Sequence, residues 1–141
     1  MQTLFQCLKA LLIFLWIYAA ATKLINFQLT KAEMAHQIFD ESFSSILAWL
    51  VPAVELLTGF LLAIPLTARY GLVLSALLLG LFTIYVVGGV MHWYETMPCA
   101  CGGVIRHMTW GWHLAFNCCF LVINVTTLMI EPSRKEVSAS H

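Results

Sequence analysis

Four long apolar stretches, separated by shorter polar segments, dominate the chain. They predict helices over about residues 4–27, 45–67, 70–93 and 108–130, since a helix needs roughly 20 mostly apolar residues to cross a bilayer. Backbone groups that face lipid must satisfy their hydrogen bonds internally, which favours helices. We therefore predict an all-α fold: a four-helix transmembrane bundle in one domain, residues 1–131, followed by a polar tail at residues 132–141.

The first stretch has a second interpretation, because it also resembles a secretory signal peptide. Lys9, the apolar run that starts at Ala10 and the alanines at 19–21 imitate the three regions of such a peptide. Trp16 and Tyr18 are unusual within a signal peptide. We therefore expect a membrane-spanning helix here.

The first loop, residues 24–45, carries a weaker helical pattern. Thr30 and Glu33 have the spacing of a capping box. Apolar residues follow at helical spacing, at Ala35, Ile38, Phe39 and Phe43. We expect a short interfacial helix in this loop, lying on the membrane surface.

The composition supports a membrane protein over a soluble one. Hydrophobic residues make up 61% of the 141 positions and charged residues only 10%, whereas roughly 25% of the residues in an ordinary soluble domain are charged. The formal net charge is zero, which gives no electrostatic basis for binding nucleic acid. We expect the lipid bilayer as a partner and no nucleic acid.

Basic residues are distributed unevenly between the two sides of the predicted bundle. Both termini and the turn at Arg69 would share one side, which carries Lys9, Arg69, Arg134 and Lys135. The other side would carry Lys23, Lys31 and Arg106. The positive-inside rule therefore favours cytoplasmic termini and extracytoplasmic longer loops.

Two cysteines stand one residue apart in the second long loop, at Cys99 and Cys101. Pro98 fixes the backbone before them, and two glycines after them allow the chain to fold back. A disulfide across a single intervening residue is strained and easily reduced, and an extracytoplasmic location favours its formation. We expect Cys99 and Cys101 to be the catalytic residues of a thiol–disulfide oxidoreductase.

Two other interpretations of this pair stay open. The cysteines could form an inert disulfide that shapes the loop of a non-enzymatic assembly or accessory factor. They could also bind copper(I) or zinc, because soft ligands lie nearby in the sequence. These ligands are His92, Met97, Cys99, Cys101, His107 and Met108.

The last apolar stretch carries a polar face, because Trp110, His113, Asn117 and Asn124 recur at helical spacing. Polar residues within a membrane segment usually face the bundle interior. His113 lies about one turn from the loop that carries the cysteines. We therefore expect His113 to act with them by tuning a thiolate or relaying its proton.

Glu55 lies well inside the second apolar stretch, where an unpaired carboxylate would be costly. Lys23 lies at a compatible depth, so we expect the two to pair, with the lysine stem free to snorkel. We further expect Lys23, Glu55, Trp110 and Asn117 to form a polar pocket that could admit a quinone or relay protons. Cys7, Cys118 and Cys119 we interpret as small apolar packing residues.

Several motifs together resemble a known family. The runs at residues 21–27 (ATKLINF) and 50–59 (LVPAVELLTG), with the long third helix, are similar to DoxX-like four-helix membrane proteins. The run at residues 98–103 (PCACGG), followed by Trp110, His113 and Asn117, resembles the branch of that family that includes MauE. The resemblance covers most of the chain.

The resemblance implies an inner-membrane protein that is linked to thiol redox chemistry. MauE itself is associated with maturation of a disulfide-rich periplasmic enzyme subunit. We therefore expect the CxC pair to exchange electrons with an extracytoplasmic thioredoxin-like partner or client protein. A shared scaffold does not transfer a metabolic pathway.

Overall fold

The computed structural model describes residues 2–35, 41–93 and 110–131. Within these ranges the chain is helical and contains no strand; the helices are α1 (Gln2–Ile25), α2 (Phe27–Ala35), α3 (Glu41–Ala63), α4 (Ala68–Val90) and α5 (Trp110–Met129). All except α2 are long and apolar enough to cross a membrane. The predicted all-α architecture with four membrane-spanning helices is confirmed. The predicted polar tail, residues 132–141, and Ile38 and Phe39 of the first loop lie outside the described residues.

The four long helices form a closed bundle. α1 and α4 each pack against both α3 and α5, so α1 and α4 lie diagonally across the bundle from each other. Arg69, at the start of α4, lies 3.7 Å from the carboxylate of Glu131, which follows α5. We call this the terminal end, and we call the opposite end, where α1 and α4 finish and α5 begins, the loop end.

Trp16 lies at the centre of the bundle and is 2% exposed. Its indole N–H donates a hydrogen bond of 2.8 Å to the Ser75 hydroxyl, which joins the diagonal helices α1 and α4. Leu12, Leu62 and Leu72 belong to the same buried cluster. The bundle exterior is also apolar, with exposed side chains that include Phe14, Phe60, Leu77, Leu81, Ile84 and Val122. Apolar side chains on the outside are expected where the solvent is lipid.

Glycine allows two of the helix contacts to be close. A Cβ atom placed on Gly71 would lie 2.7 Å from the backbone nitrogen of Leu62, so the backbones of α3 and α4 meet there. A Cβ atom on Gly59 would lie 2.8 Å from the side chain of Ile17 in α1. Small residues at such points let membrane helices pack closely.

α1 and α2 are nearly continuous and are separated only at Asn26. The predicted capping box at Thr30 and Glu33 is wrong, because α2 already begins at Phe27 and Thr30 lies inside it. The Thr30 hydroxyl donates instead to the backbone carbonyl of Lys23, at 3.3 Å. The last turn of a helix leaves carbonyls without intrahelical partners, and Thr30 satisfies one of these.

α2 packs against the first half of α3. The rings of Phe27 and Trp49 lie 4.3 Å apart, and Phe27 also packs against the buried Ala48. A short helix is therefore present in this loop, but Phe43, which was expected to belong to it, lies in α3. Its location on the membrane surface stays a prediction.

Local sequence explains where α3 and α4 end. α3 ends at Ala63, earlier than the expected residue 67, because Pro65 disfavours helical geometry in the residue before it. α4 ends in a Schellman motif, in which His92 takes a left-handed conformation with φ 55°. The N–H of Trp93 donates to the Gly88 carbonyl at 3.0 Å, and that of His92 to Gly89 at 3.2 Å.

Candidate functional site

Lys23 and Glu55 form a buried ion pair between α1 and α3. The lysine Nζ lies 2.6 Å from the glutamate Oε1, and the side chains are 4% and 1% exposed. The expected pairing of these two residues is confirmed. Each charged group compensates the other, which is the condition for keeping them inside a membrane bundle.

The two ends of the pair have different surroundings. Lys23 is also 6.0 Å from the centroid of the Phe82 ring in α4, within the range of a cation–π contact. The second carboxylate oxygen of Glu55, Oε2, is buried and makes no hydrogen bond within the described part of the chain. One oxygen of Glu55 is thus satisfied and the other is available to a donor.

Repeated spacing along α1 explains why Lys23 points inward. Its buried residues are Phe5, Lys9, Leu12, Trp16, Ala20 and Lys23. They recur every three or four positions, so all of them lie on one face of the helix. The lysine that interrupts the apolar stretch is therefore on the core face, in register with Trp16.

α5 presents His113 and Asn124 to the interior. Asn124 is fully buried, and its amide nitrogen donates to the backbone carbonyl of Leu72 in α4 at 3.0 Å. His113 is 4% exposed. Asn117 is half-buried between them. The polar face expected on this helix therefore does face inward at these three residues.

The predicted pocket is assembled only in part. Lys23 and Glu55 are in contact. In the described ranges, no hydrogen bond or ion pair links Asn117 to either of them. Trp110 is the first residue of α5, but its side chain lies outside the described residues. The quinone and the proton relay stay predictions.

A shallow groove lies on the other side of α3, lined by Ser45, Ile46, Trp49, Leu50 and Ala53. These residues fall on the face of the helix that is opposite Glu55. Ile46, Trp49 and Leu50 are exposed on the apolar exterior. The groove is therefore separate from the ion pair.

Cys99 and Cys101 lie outside the described residues, as do Met97, His107 and Met108. The chain enters their segment after Trp93 and leaves it at Trp110, both at the loop end. His92, the remaining residue of the alternative metal set, is exposed. Within the described ranges, no three His, Cys, Asp or Glu side chains are grouped so that they could hold a metal ion.

The other three cysteines are free and exposed on the outside of the bundle. Cys7, Cys118 and Cys119 were expected to pack as small apolar side chains within the membrane segments. The prediction that they pack inside the bundle is wrong, because all three side chains are exposed on its apolar exterior. An apolar cysteine side chain is compatible with that surrounding.

Sequence reasoning missed two contacts that shape the site. The Trp16–Ser75 hydrogen bond fixes α1 against α4 below the ion pair, and the Thr30–Lys23 hydrogen bond ties α2 to the end of α1. The spacing of Trp16 and Lys23 on one helix face indicates that Trp16 points into the bundle, but it does not identify Ser75 as its partner. The second depends on the break at Asn26, which has no clear pattern in the sequence.

Comparison with known proteins gives one result. The sequence matches the family model described as methylamine utilisation protein MauE over residues 1–130. No curated protein and no solved structure matches the chain significantly. The wider resemblance to DoxX-like proteins stays a prediction. Since the match spans nearly the whole chain and includes all four membrane-spanning helices, the protein belongs to the MauE family.

Proposed function

We propose that this MauE-family membrane protein is a thiol–disulfide exchange protein that acts through Cys99 and Cys101. A client dithiol reduces the Cys99–Cys101 disulfide: one sulfur–sulfur bond breaks in the protein, one forms in the client, and two electrons and two protons pass from client to protein. A thioredoxin-like protein takes part in the same exchange in either direction. No electron acceptor beyond these thiols is needed for the step.

The observation that carries this proposal is the sequence Pro98–Cys99–Ala100–Cys101–Gly102–Gly103 in the connection between α4 and α5. A thiolate must be accessible to attack a disulfide, and a loop position gives access. Both helices that bear this connection are fixed in the bundle, α4 through its contacts with α3 and α5. The family match is consistent with this theme.

His113 is proposed as the residue that tunes the nearer thiolate. It is buried three residues after the start of α5, at the loop end. An imidazole can accept or supply a proton near neutral pH, which suits a thiol that must lose its proton before it attacks. Trp110, Asn117 and the Lys23–Glu55 pair would form the polar lining beneath it.

We further propose that the protein lies in the inner membrane with the loop end on the extracytoplasmic side. The distribution of basic residues supports cytoplasmic termini. That orientation exposes the CxC pair to the compartment in which disulfides form. Clients of the exchange would then be extracytoplasmic proteins with disulfides.

The double variant Cys99→Ser/Cys101→Ser tests the proposal. We expect the variant to insert normally but to leave client cysteines unpaired or wrongly paired, as measured by alkylation of free thiols in the extracytoplasmic proteins. Cys118→Ser/Cys119→Ser is the matched control, since it also removes two thiols but leaves the CxC pair intact. Unchanged client disulfides in the first variant would contradict exchange and support an assembly role.

A further inference from the structure

The Lys23–Glu55 pair has an asymmetry that an ion pair with a purely structural role does not need. Oε1 of Glu55 accepts a hydrogen bond of 2.6 Å from the Lys23 ammonium group, whereas Oε2 is buried with no hydrogen-bond donor among the described residues. The whole side chain is 1% exposed. A buried, charged carboxylate oxygen without a donor is costly, and protonation cancels the charge that makes up most of that cost.

Lys23 connects the pair to the rest of the loop end. Its side chain binds Glu55 in α3, and its backbone carbonyl accepts the Thr30 hydroxyl of α2 at 3.3 Å. α1 ends two residues later, at Ile25, and the helix is interrupted at Asn26. The charge that holds α1 to α3 and the hydrogen bond that holds α2 to α1 thus meet at one residue.

The ammonium group of Lys23 can also reach a second location, because Lys23 lies in the last turn of α1. Long lysine side chains near the end of a membrane helix can extend to the polar interface. Glu55 has no such choice, because it lies in the middle of α3, fourteen residues after Glu41. If Glu55 loses its charge, Lys23 can leave for the loop end and Glu55 stays buried.

We propose that Glu55 is a membrane-embedded proton-binding site that controls the attachment of α2. A proton from the aqueous phase at the loop end binds the carboxylate at Oε2, forming an O–H bond and cancelling its charge. Lys23 keeps its own proton, loses its partner and extends towards the loop end. Without the ion pair the end of α1 is no longer fixed to α3, the Thr30 hydrogen bond to that end weakens, and α2 loosens from the bundle.

Other titratable groups lie on the helices that carry or pack against the pair. Tyr85 on α4, with a buried hydroxyl, and His113 on α5 lie in the half of the bundle nearer the loop end. Lys31 on α2 is exposed. Lys9 shares the buried face of α1 but lies towards the terminal end, near the Phe5 ring at 5.7 Å. Among the described residues, the group in ion-pair contact with Glu55 is Lys23.

Infrared spectroscopy of the full-length protein in lipid nanodiscs tests the proton-binding step. A pH titration should show the carbonyl band of a protonated carboxyl group appearing as the pH falls, and Glu55→Gln should remove that band. The matched control is Glu131→Gln, which removes the acid of the Arg69 pair at the terminal end and should leave the band in place. Absence of a band that depends on Glu55 would overturn the proposal.

Hydrogen exchange of the peptide that covers residues 27–35 tests the coupling to α2. At a pH where the wild-type carboxylate is charged, Glu55→Gln should speed exchange in α2 on the order of tenfold. Thr30→Val should speed it similarly while the infrared band that depends on Glu55 persists, because this variant cuts the connection and not the pair. Equal exchange in wild type and Glu55→Gln would overturn the coupling.

Two further variants keep the test decisive. If Glu55→Gln does not fold, Glu55→Asp serves instead, since it keeps a carboxyl group but should shift the frequency and midpoint of the band. An unshifted titration would contradict the assignment to Glu55. Cys99→Ser/Cys101→Ser should titrate as the wild type does, so failure of the proposed thiol exchange would leave this inference standing.

Discussion

Lys23 and Glu55 show how one pair of charges can be kept within a lipid environment. Their charged atoms are 2.6 Å apart and both side chains are buried. Removing one partner leaves the other as an uncompensated buried charge, whereas replacing both with apolar residues leaves an apolar contact. Comparing the loss of folding stability in single and double variants therefore measures the interaction between the two side chains.

We expect Lys23→Met to lower the free energy of unfolding by about 3–5 kcal/mol. The double variant Lys23→Met/Glu55→Leu should recover most of that loss, because no uncompensated charge remains. The stabilities of both variants can be measured by unfolding them in mixed micelles with an increasing fraction of denaturing detergent. A double variant as unstable as the sum of its single variants would contradict direct pairing.

Ser75 provides a second test, on the hydrogen bond at the bundle centre. Ser75→Ala leaves the Trp16 indole N–H without its acceptor, which lies 2.8 Å away in the wild type. We expect a loss of about 1 kcal/mol, in the range of interhelical hydrogen bonds in membranes. Thr83→Ala is the control, since that hydroxyl bonds only the Leu79 carbonyl of its own helix. Equal losses in the two variants would contradict a special role for the Trp16–Ser75 bond.

The pairing of Lys23 with Glu55 could be predicted because charge inside an apolar stretch demands compensation, and the apolar stretches at residues 4–27 and 45–67 put the two residues at compatible depths. The partner of Trp16 could not be predicted in this way. A serine in α4 could face lipid or any neighbouring helix. The three-dimensional packing determines that the Ser75 hydroxyl accepts a hydrogen bond from the Trp16 indole. The position of Asn117 also depends on the three-dimensional packing. The sequence predicted that Asn117 shares a pocket with Lys23 and Glu55, but no hydrogen bond or ion pair among the described residues links it to them.

Among the helices, length and composition predicted the four membrane spans, but not all of their ends. An apolar stretch continues through Ile64 and Leu66, yet α3 stops at Ala63 because of Pro65. The pattern at Thr30 resembled a helix start, whereas α2 begins earlier because it nearly continues α1. Hydrophobicity reports which residues lipid accepts, and local backbone chemistry decides where each helix ends.

The contact between α3 and α4 depends on the lack of a side chain at Gly71. We expect Gly71→Ala to cost roughly 1–3 kcal/mol of folding stability, because its Cβ would meet the Leu62 backbone at 2.7 Å and the helices must separate. Gly80→Ala, in the same helix, meets nothing within 4 Å and should be neutral or slightly stabilising. Thermal aggregation of the purified variants gives the order of stability. Equal effects would contradict close packing at Gly71.

For the molecule as a whole, the proposed chemistry belongs to one end of the bundle. Residue 2, the turn at residues 64–67 and Glu131 lie at the terminal end. The connection that carries Cys99 and Cys101 starts and finishes at the other end. The fold thus separates residue 2 and Glu131 from the two ends of the connection that carries the proposed redox pair by the length of the bundle.

The proposed orientation of the bundle in the membrane can be measured directly. In a background without native cysteines, we expect His92→Cys to react with a membrane-impermeant maleimide added to intact spheroplasts. Leu66→Cys, an exposed position of the α3–α4 turn, should react only after the membrane is opened. The reverse pattern would contradict the proposed extracytoplasmic location of the loop end.

In the proposed exchange electrons pass through Cys99 and Cys101, and this step can be tested by trapping a mixed disulfide. Cys99→Ser and Cys101→Ser are made separately in a background that lacks Cys7, Cys118 and Cys119, so that each protein carries a single thiol. We expect at least one of them to form a covalent adduct with an extracytoplasmic protein, which reductant releases and mass spectrometry identifies. Two variants that reach the membrane normally and form no adduct would contradict thiol–disulfide exchange through this pair.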